Sequence, residues 1–158
     1  MKVTVIGSGN LGKSIITGIA SSDLFDSKNI LVADKSDENL EIIKKQAGVS
    51  VTSDNIKAVK ESKWVILCIQ PRILKIVLNE IKNHITDDQI LISTVTGVSI
   101  SEINEIRKIS EIAKLVNISG ISGISEIIEI IEISDISEIS EISEISEIRE
   151  IRANLEKP

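Results

Sequence analysis

Over residues 1–99, short apolar runs take turns with stretches whose apolar residues recur at three- and four-residue intervals. Runs of the first kind read as buried strands, and the spaced stretches read as helices with one apolar face. Val3, Val5 and Ile6 make residues 2–6 a strand that stops at Gly7, and Leu11, Ile15, Ile16 and Ile19 space residues 10–21 as a helix. Residues 29–33 form a second strand closed by Asp34. Residues 36–46 follow as a helix, with Ser36 as its cap, Leu40 and Ile43 inward and Gly48 just past its end. Residues 49–51 suit a short strand, and Ser53 or Asp54 can cap a helix running to Lys60.

Residues 64–69 are the most apolar run and stop at Gln70-Pro71. Pro71 fits the first turn of a helix over residues 72–82, where its missing N–H is no loss. Residues 89–93 are a further strand, followed by a small-residue loop over 94–97. Strands alternating with helices predict an α/β domain with a Rossmann-like parallel sheet and flanking helices, here over residues 1–99.

From Ile100 the pattern changes. An aliphatic residue stands at every third position through Ile151, commonly preceded by Glu and, before that, by Ser. A three-residue period falls about 60° short of a full helical turn at each step, so its apolar stripe winds around the rod. On a strand the same residues would alternate faces. Residues 100–158 are therefore expected to be a low-complexity tail, helical and weakly anchored, with disorder or self-association through exposed isoleucine as the other states.

Charge divides the chain at the same place. Residues 1–99 carry 12 Lys/Arg and 11 Asp/Glu, whereas residues 100–158 carry 6 and 13. With aromatics at 1%, the core has to be aliphatic. No basic stripe offers itself to nucleic acid. Cys68 is the only cysteine, which excludes an internal disulfide framework, and no metal-ligand cluster stands out. No cationic leader with an apolar core and no run of about 18 apolar residues is found. The expectation is a cytoplasmic chain without membrane or nucleic-acid partners.

Candidate chemistry concentrates in Gly7-Ser8-Gly9-Asn10-Leu11-Gly12, a complete G-x-G-x-x-G between the first strand and the first helix. Gly7 permits a tight turn, Gly9 lets a diphosphate approach the backbone, and Gly12 lets helix and strand pack closely. The helix start supplies amide N–H groups and partial positive charge. Asp34 follows at the end of the second strand, where a ribose-reading acid belongs. The same segment extended by Lys13 and Ser14 also satisfies G-x-x-x-x-G-K-[ST], the nucleoside-triphosphate loop, with residues 30–34 as a matching apolar run and acid. Both ligands, and an assembly module driven by the tail, stay open on the residues alone.

The segments VTVIGSGNLGKSIITGI, GVSVTSDNIKAV, WVILCIQP and ILISTVTGVSISEI, in that order and spacing, resemble the N-terminal domain of the pyrroline-5-carboxylate reductases. The resemblance implies a homo-oligomeric oxidoreductase that transfers hydride from NADPH or NADH to 1-pyrroline-5-carboxylate, giving proline. It implies that Gly7, Ser8, Gly9, Asn10, Leu11 and Gly12 cradle the cofactor's diphosphate, and that Asp34 and Lys35 meet the adenosine ribose or its 2′-phosphate. Asn55 matches an asparagine near the adenosine. Cys68, Ile69, Gln70 and Pro71 match a segment beside the cofactor, with glutamine in place of the family's lysine. Thr94, Val95 and Thr96 match the stretch near the nicotinamide. Asp34 favours a free 2′-hydroxyl and Lys35 a 2′-phosphate, which leaves a slight inclination to NADP over NAD. The family's Met-Pro-Asn segment and its helical domain have no counterpart in the triplet tract, so catalysis is expected to be incomplete, with no catalytic residue assigned.

Several other residues read as structural. Cys68, on an apolar run, is expected to be inert packing, and His84 to be a surface residue after a polar helix end. Trp64 is expected to plug the sheet, Asp87-Asp88 to make a turn, and the acids of the tract to form a solvated face.

Overall fold

The computed structural model describes residues 2–23, 25–107, 114–118, 127 and 141–142. Among the described residues, seven parallel strands form one sheet: β1 (Val3–Ile6), β2 (Ile30–Ala33), β3 (Ser50–Thr52), β4 (Trp64–Leu67), β5 (Ile90–Ser93), β6 (Lys114–Asn117) and the two-residue β7 (Glu141–Ile142). Their spatial order is β3-β2-β1-β4-β5-β6-β7. The direction of winding reverses between β1 and β4, which pair from Val3↔Trp64 to Ile6↔Leu67. Such a reversal opens a crevice at the carboxyl ends of the strands.

Helices α1 (Asn10–Ala20), α2 (Asp37–Ala47), α3 (Asn55–Lys60), α4 (Pro71–Ile81) and α5 (Ile100–Arg107) connect the strands. Alternate strand residues serve two separate cores, as a sheet covered on both sides requires. Val3, Val5, Ile30, Val32 and Ile66 pack with Ile15, Ile16 and Ile19 of α1 and Leu40 and Ile43 of α2. Leu31, Ala33, Val65 and Leu67 pack on the other face with Leu74, Leu78 and Ile81 of α4, Val59 of α3 and Ile103 of α5. Each fully buried aliphatic side chain contributes about 1.5–3 kcal/mol relative to exposure. Thr4 is the one polar residue of β1, and its hydroxyl is satisfied by the Ala58 carbonyl at 2.9 Å.

Local signals set the element boundaries. Ser36 caps α2, accepting from the Asn39 amide at 3.3 Å, and Gly48 ends that helix in the left-handed region at φ 66°. Asp54, of the two candidates, caps α3. Pro71 occupies the first turn of α4. Trp64 begins β4 fully buried, its ring edge-on to Phe25 at 5.4 Å, so the only two aromatic residues meet in one core. Asp87 and Asp88 form the turn before β5.

Two described elements depart from the sequence reading: the two-residue β7, which pairs with β6, and β6 itself. Lys114–Asn117 was expected as part of a helical tail and is a strand, paired with β5 from Ile90↔Lys114 to Ser93↔Asn117. Leu115 and Val116 are adjacent apolar residues, both buried, and they enter opposite cores. An apolar pair of that kind satisfies a doubly covered strand, whereas the triplet register alone gives apolar groups no consistent face. The rest of the expected helix lies mostly outside the described residues. Among the described residues, no helix is long and apolar enough to cross a membrane.

Candidate functional site

The glycine segment forms a turn that its neighbours oblige to be bare. Gly7 has φ +98°, and a Cβ there would collide with the carbonyl of Cys68. A Cβ at Gly12, buried within α1, would collide with the carbonyl oxygen of Gly7. Gly9 differs: a Cβ there would meet nothing within 4 Å. Two glycines thus hold helix and strand together, and the third leaves open space in front of the backbone.

Gly9 is also the N-cap of α1, so no side chain accepts from the first-turn amides, and no acid lies in that turn. Those N–H groups and the helix dipole form an anion site at the mouth of the sheet. The α4 helix, which follows β4 across the crevice, likewise starts without a side-chain cap at Gln70.

Between these helix starts lies a cleft of about 410 Å³ lined by Gly7, Gly9, Asp34, Lys35, Asn55, Cys68, Ile69 and Gln70, all expected from the sequence. Asp34 ties the glycine turn to α2. Its Oδ2 accepts from the Ser8 amide and the Ser8 hydroxyl, each at 2.7 Å, and its Oδ1 accepts from the Ser36 amide at 2.9 Å. Burial pushes the Asp34 carboxyl up, but the bonds from Ser8, Ser36 and Lys35 together hold it below the usual aspartate range. Ser8 is wholly buried behind the turn.

The far end of the cleft is polar and crowded. Lys35 Nζ donates to the Ser53 carbonyl at 3.0 Å and pairs with Glu80 Oε1 at 3.2 Å. Asn55 Nδ2 donates to Glu80 Oε2 at 2.9 Å, which leaves Asn55 Oδ1 buried without a hydrogen-bond partner. Arg72, Ile73, Ile76, Val77 and Glu80 of α4, Asn39 of α2, and Ile6 and Ala33 at the ends of β1 and β2 complete the wall. Sequence reading missed these eight as site residues. Ile76 is 67% exposed on a helix whose other apolar residues are mainly buried, and such an apolar residue off the buried stripe is the signal that could have found this face.

Other expected residues fall elsewhere. Asn10 and Leu11 are exposed at the start of α1, and Pro71 is exposed at the start of α4. Thr94, Val95 and Thr96, after β5, are not among the residues lining the cleft. The Thr94 hydroxyl donates to the Leu67 carbonyl at 2.9 Å, Val95 is buried, and Thr96 is exposed. Burial pushes the Cys68 thiol up to about 12 against a hydrogen bond from Thr94, so it stays protonated and unreactive.

The nucleoside-triphosphate alternative does not match this geometry. That loop needs residues between strand and helix to wrap around the phosphates, with its lysine at the helix start. Here α1 has already begun at Asn10, and Lys13 Nζ lies 3.5 Å from Asn39 Oδ1. Asp34, the residue that would help hold magnesium, is engaged by Ser8 and Ser36.

A reversed-winding parallel sheet with a bare glycine turn and an uncapped helix at its mouth defines a Rossmann-like dinucleotide-binding domain. Residues 2–97 match the family described as NADP oxidoreductase coenzyme F420-dependent, and the chain belongs to that family. It is 36% identical over 99 residues to pyrroline-5-carboxylate reductase 2 of Dictyostelium discoideum, covering 63% of this chain and 33% of that protein. It is 32% identical over 100 residues to the pyrroline-5-carboxylate reductase of Methanosarcina acetivorans, covering 63% of this chain and 37% of that one. The chain thus matches about a third of the length of these curated relatives. Among solved structures, the pyrroline-5-carboxylate reductase of Coxiella burnetii superposes with a TM-score of 0.70 at 20% identity, covering 96% of this chain and 62% of that one. The Plasmodium falciparum pyrroline carboxylate reductase with NADP bound gives a TM-score of 0.65 at 20% identity, over 90% and 58%. At this identity these superpositions establish the shared fold.

Proposed function

We propose that this chain binds NAD or NADP in the crevice between β1 and β4 and is the dinucleotide domain of an oxidoreductase acting on 1-pyrroline-5-carboxylate. The observation that carries the reading is the combination at Gly9: open space in front of the backbone, with unanswered amides of α1 directly behind it. A diphosphate fits a site with donors and no side chain.

When bound, the nicotinamide supplies the hydride. The chain's own residues bind and orient. The backbone from Gly7 to Gly12 holds the diphosphate, Asp34 and Lys35 flank the adenosine ribose, and Asn55 offers its unpartnered oxygen to that end. Ile73 and Ile76 give the adenine ring an apolar surface. Ile69 and Gln70 line the passage between β4 and α4, and Thr94, Val95 and Thr96 shape the nicotinamide side from β5. The imine substrate and proline are the proposed reactant and product, on the strength of the relatives in the family, and the cytoplasm is the proposed compartment.

Calorimetric titration with NADH, NADPH and ATP tests the reading. Micromolar binding of at least one dinucleotide is expected, with loss of at least tenfold in affinity in Gly9→Val. Saturation by ATP with neither dinucleotide binding would overturn it.

A further inference from the structure

We infer that Glu80 sets the dinucleotide preference of this cleft, holding its sugar end in a state that selects a free 2′-hydroxyl over a 2′-phosphate, and so NAD(H) over NADP(H). The inference rests on the dinucleotide reading above. Glu80 lies near the end of α4, away from the glycine turn, yet each of its carboxylate oxygens engages a different residue of the cleft.

Through Oε1, at 3.2 Å, Glu80 pairs with Lys35. Lys35 is the cation that follows β2, where a 2′-phosphate would seek one. With its ammonium also on the Ser53 carbonyl at 3.0 Å, two of its three donors are engaged, and an incoming phosphate meets a cation whose charge Glu80 already offsets. Through Oε2, Glu80 fixes the Asn55 amide. A carboxylate only accepts, so the Asn55 atom facing it at 2.9 Å has to be the nitrogen. That leaves Asn55 Oδ1 as a buried acceptor with no partner, in a residue 2% exposed. A buried lone acceptor is completed by a donor such as a sugar hydroxyl, and it repels an acceptor-only phosphate.

Charge around Lys35 acts in the same direction. Asp34, Asp37 and Glu38 surround it in sequence, with Ser36 as the only neutral residue between Asp34 and Glu38. A 2′-phosphate brings a charge of about −1.5 to −2 to that neighbourhood. Arg72 lies eight residues before Glu80 on the same helix, about 12 Å along its axis, and so belongs to the other end of the cleft.

Titration of the full chain with NADH and NADPH, in wild type and in Glu80→Gln, tests this. Glutamine keeps an oxygen for Asn55 Nδ2 and removes both the charge and the acceptor that hold Lys35. Wild type is expected to bind NADH more tightly, and Glu80→Gln to shift the affinity ratio toward NADPH by about tenfold, a shift that shrinks as salt rises. Adding Lys35→Met to Glu80→Gln is expected to cancel the gain, because the released ammonium produces it. Lys35→Met alone is expected to change the ratio less than twofold. A ratio unmoved by Glu80→Gln, or a large loss of NADPH binding in Lys35→Met alone, overturns the inference while leaving dinucleotide binding intact. A wild-type chain that binds neither dinucleotide removes the reading on which it rests.

Discussion

Helices α2, α3 and α5 begin on a side chain that closes their first turn, whereas α1 and α4 begin on none. Ser36 accepts from the Asn39 amide, Asp54 from Lys57 and Ser99 from Glu102. Glu102 returns the bond to Ser99, completing a reciprocal cap. Gly9 and Gln70 make no such bond. The two open helices follow β1 and β4, the strands between which the winding reverses. A closed helix start has its amides answered and serves stability, and an open one keeps its donors and its dipole for something that arrives from outside. The division between scaffold and site is therefore written in the caps.

The largest expected effect separates the glycines of the open turn. Gly7→Val is expected to destabilise the fold by about 3 kcal/mol or more, because it places a side chain at φ +98° and against the Cys68 carbonyl. Gly12→Val should act similarly through the Gly7 carbonyl. Gly9→Val should lower stability by less than about 1 kcal/mol, the difference between a glycine and an aliphatic cap, yet remove dinucleotide binding. Urea denaturation beside calorimetric titration reads both. Equal loss of stability at all three positions would erase the distinction between packing and binding glycines.

At a closed start, Ser36→Ala is expected to lower stability by about 1 kcal/mol and to leave dinucleotide affinity within twofold. Asp34 joins the two kinds of helix start, and its effect depends on pH. Its carboxyl is held below the usual aspartate range in the folded protein, so its contribution to stability is present above that range and is lost as pH falls through the lowered value. Asp34→Asn should therefore lower Tm at pH 7, and the gap from wild type should close below about pH 4. A gap that widens on acidification would contradict the bonding from Ser8 and Ser36.

Local chemistry made much of this legible in the sequence. The glycine turn, the Ser36 cap, the Gly48 stop and Pro71 each act within a few residues, and each stands where the sequence put it. What escaped depends on contacts distant in sequence. No local signal at Asp34 announces that Ser8, 26 positions earlier, donates to one of its oxygens. Glu80 carries no local signal in the sequence, because its partners Lys35 and Asn55 are 45 and 25 positions away. Lys114–Asn117 is concealed by the regular triplet register, in which Val116 is one of several apolar residues that stand off the three-residue spacing. No local signal announces that the Thr94 hydroxyl donates to the Leu67 carbonyl, 27 positions earlier.

The smallest expected effect bears most directly on why the start of α1 is open. An acid in the first turn of a helix stabilises it by about 0.3–1 kcal/mol through the dipole. The first turn of α2 has two, Asp37 and Glu38, and the first turn of α1 has none. Asn10→Asp supplies the missing charge at an exposed position. It is expected to raise Tm slightly while weakening NADH and NADPH binding severalfold, since the new carboxylate competes with the diphosphate for the same amides. Stability and affinity then move in opposite directions from one substitution at the surface. If Asn10→Asp stabilised the chain and left both affinities unchanged, the amides of α1 would not be the groups that receive the phosphates, and the open cap would need another explanation.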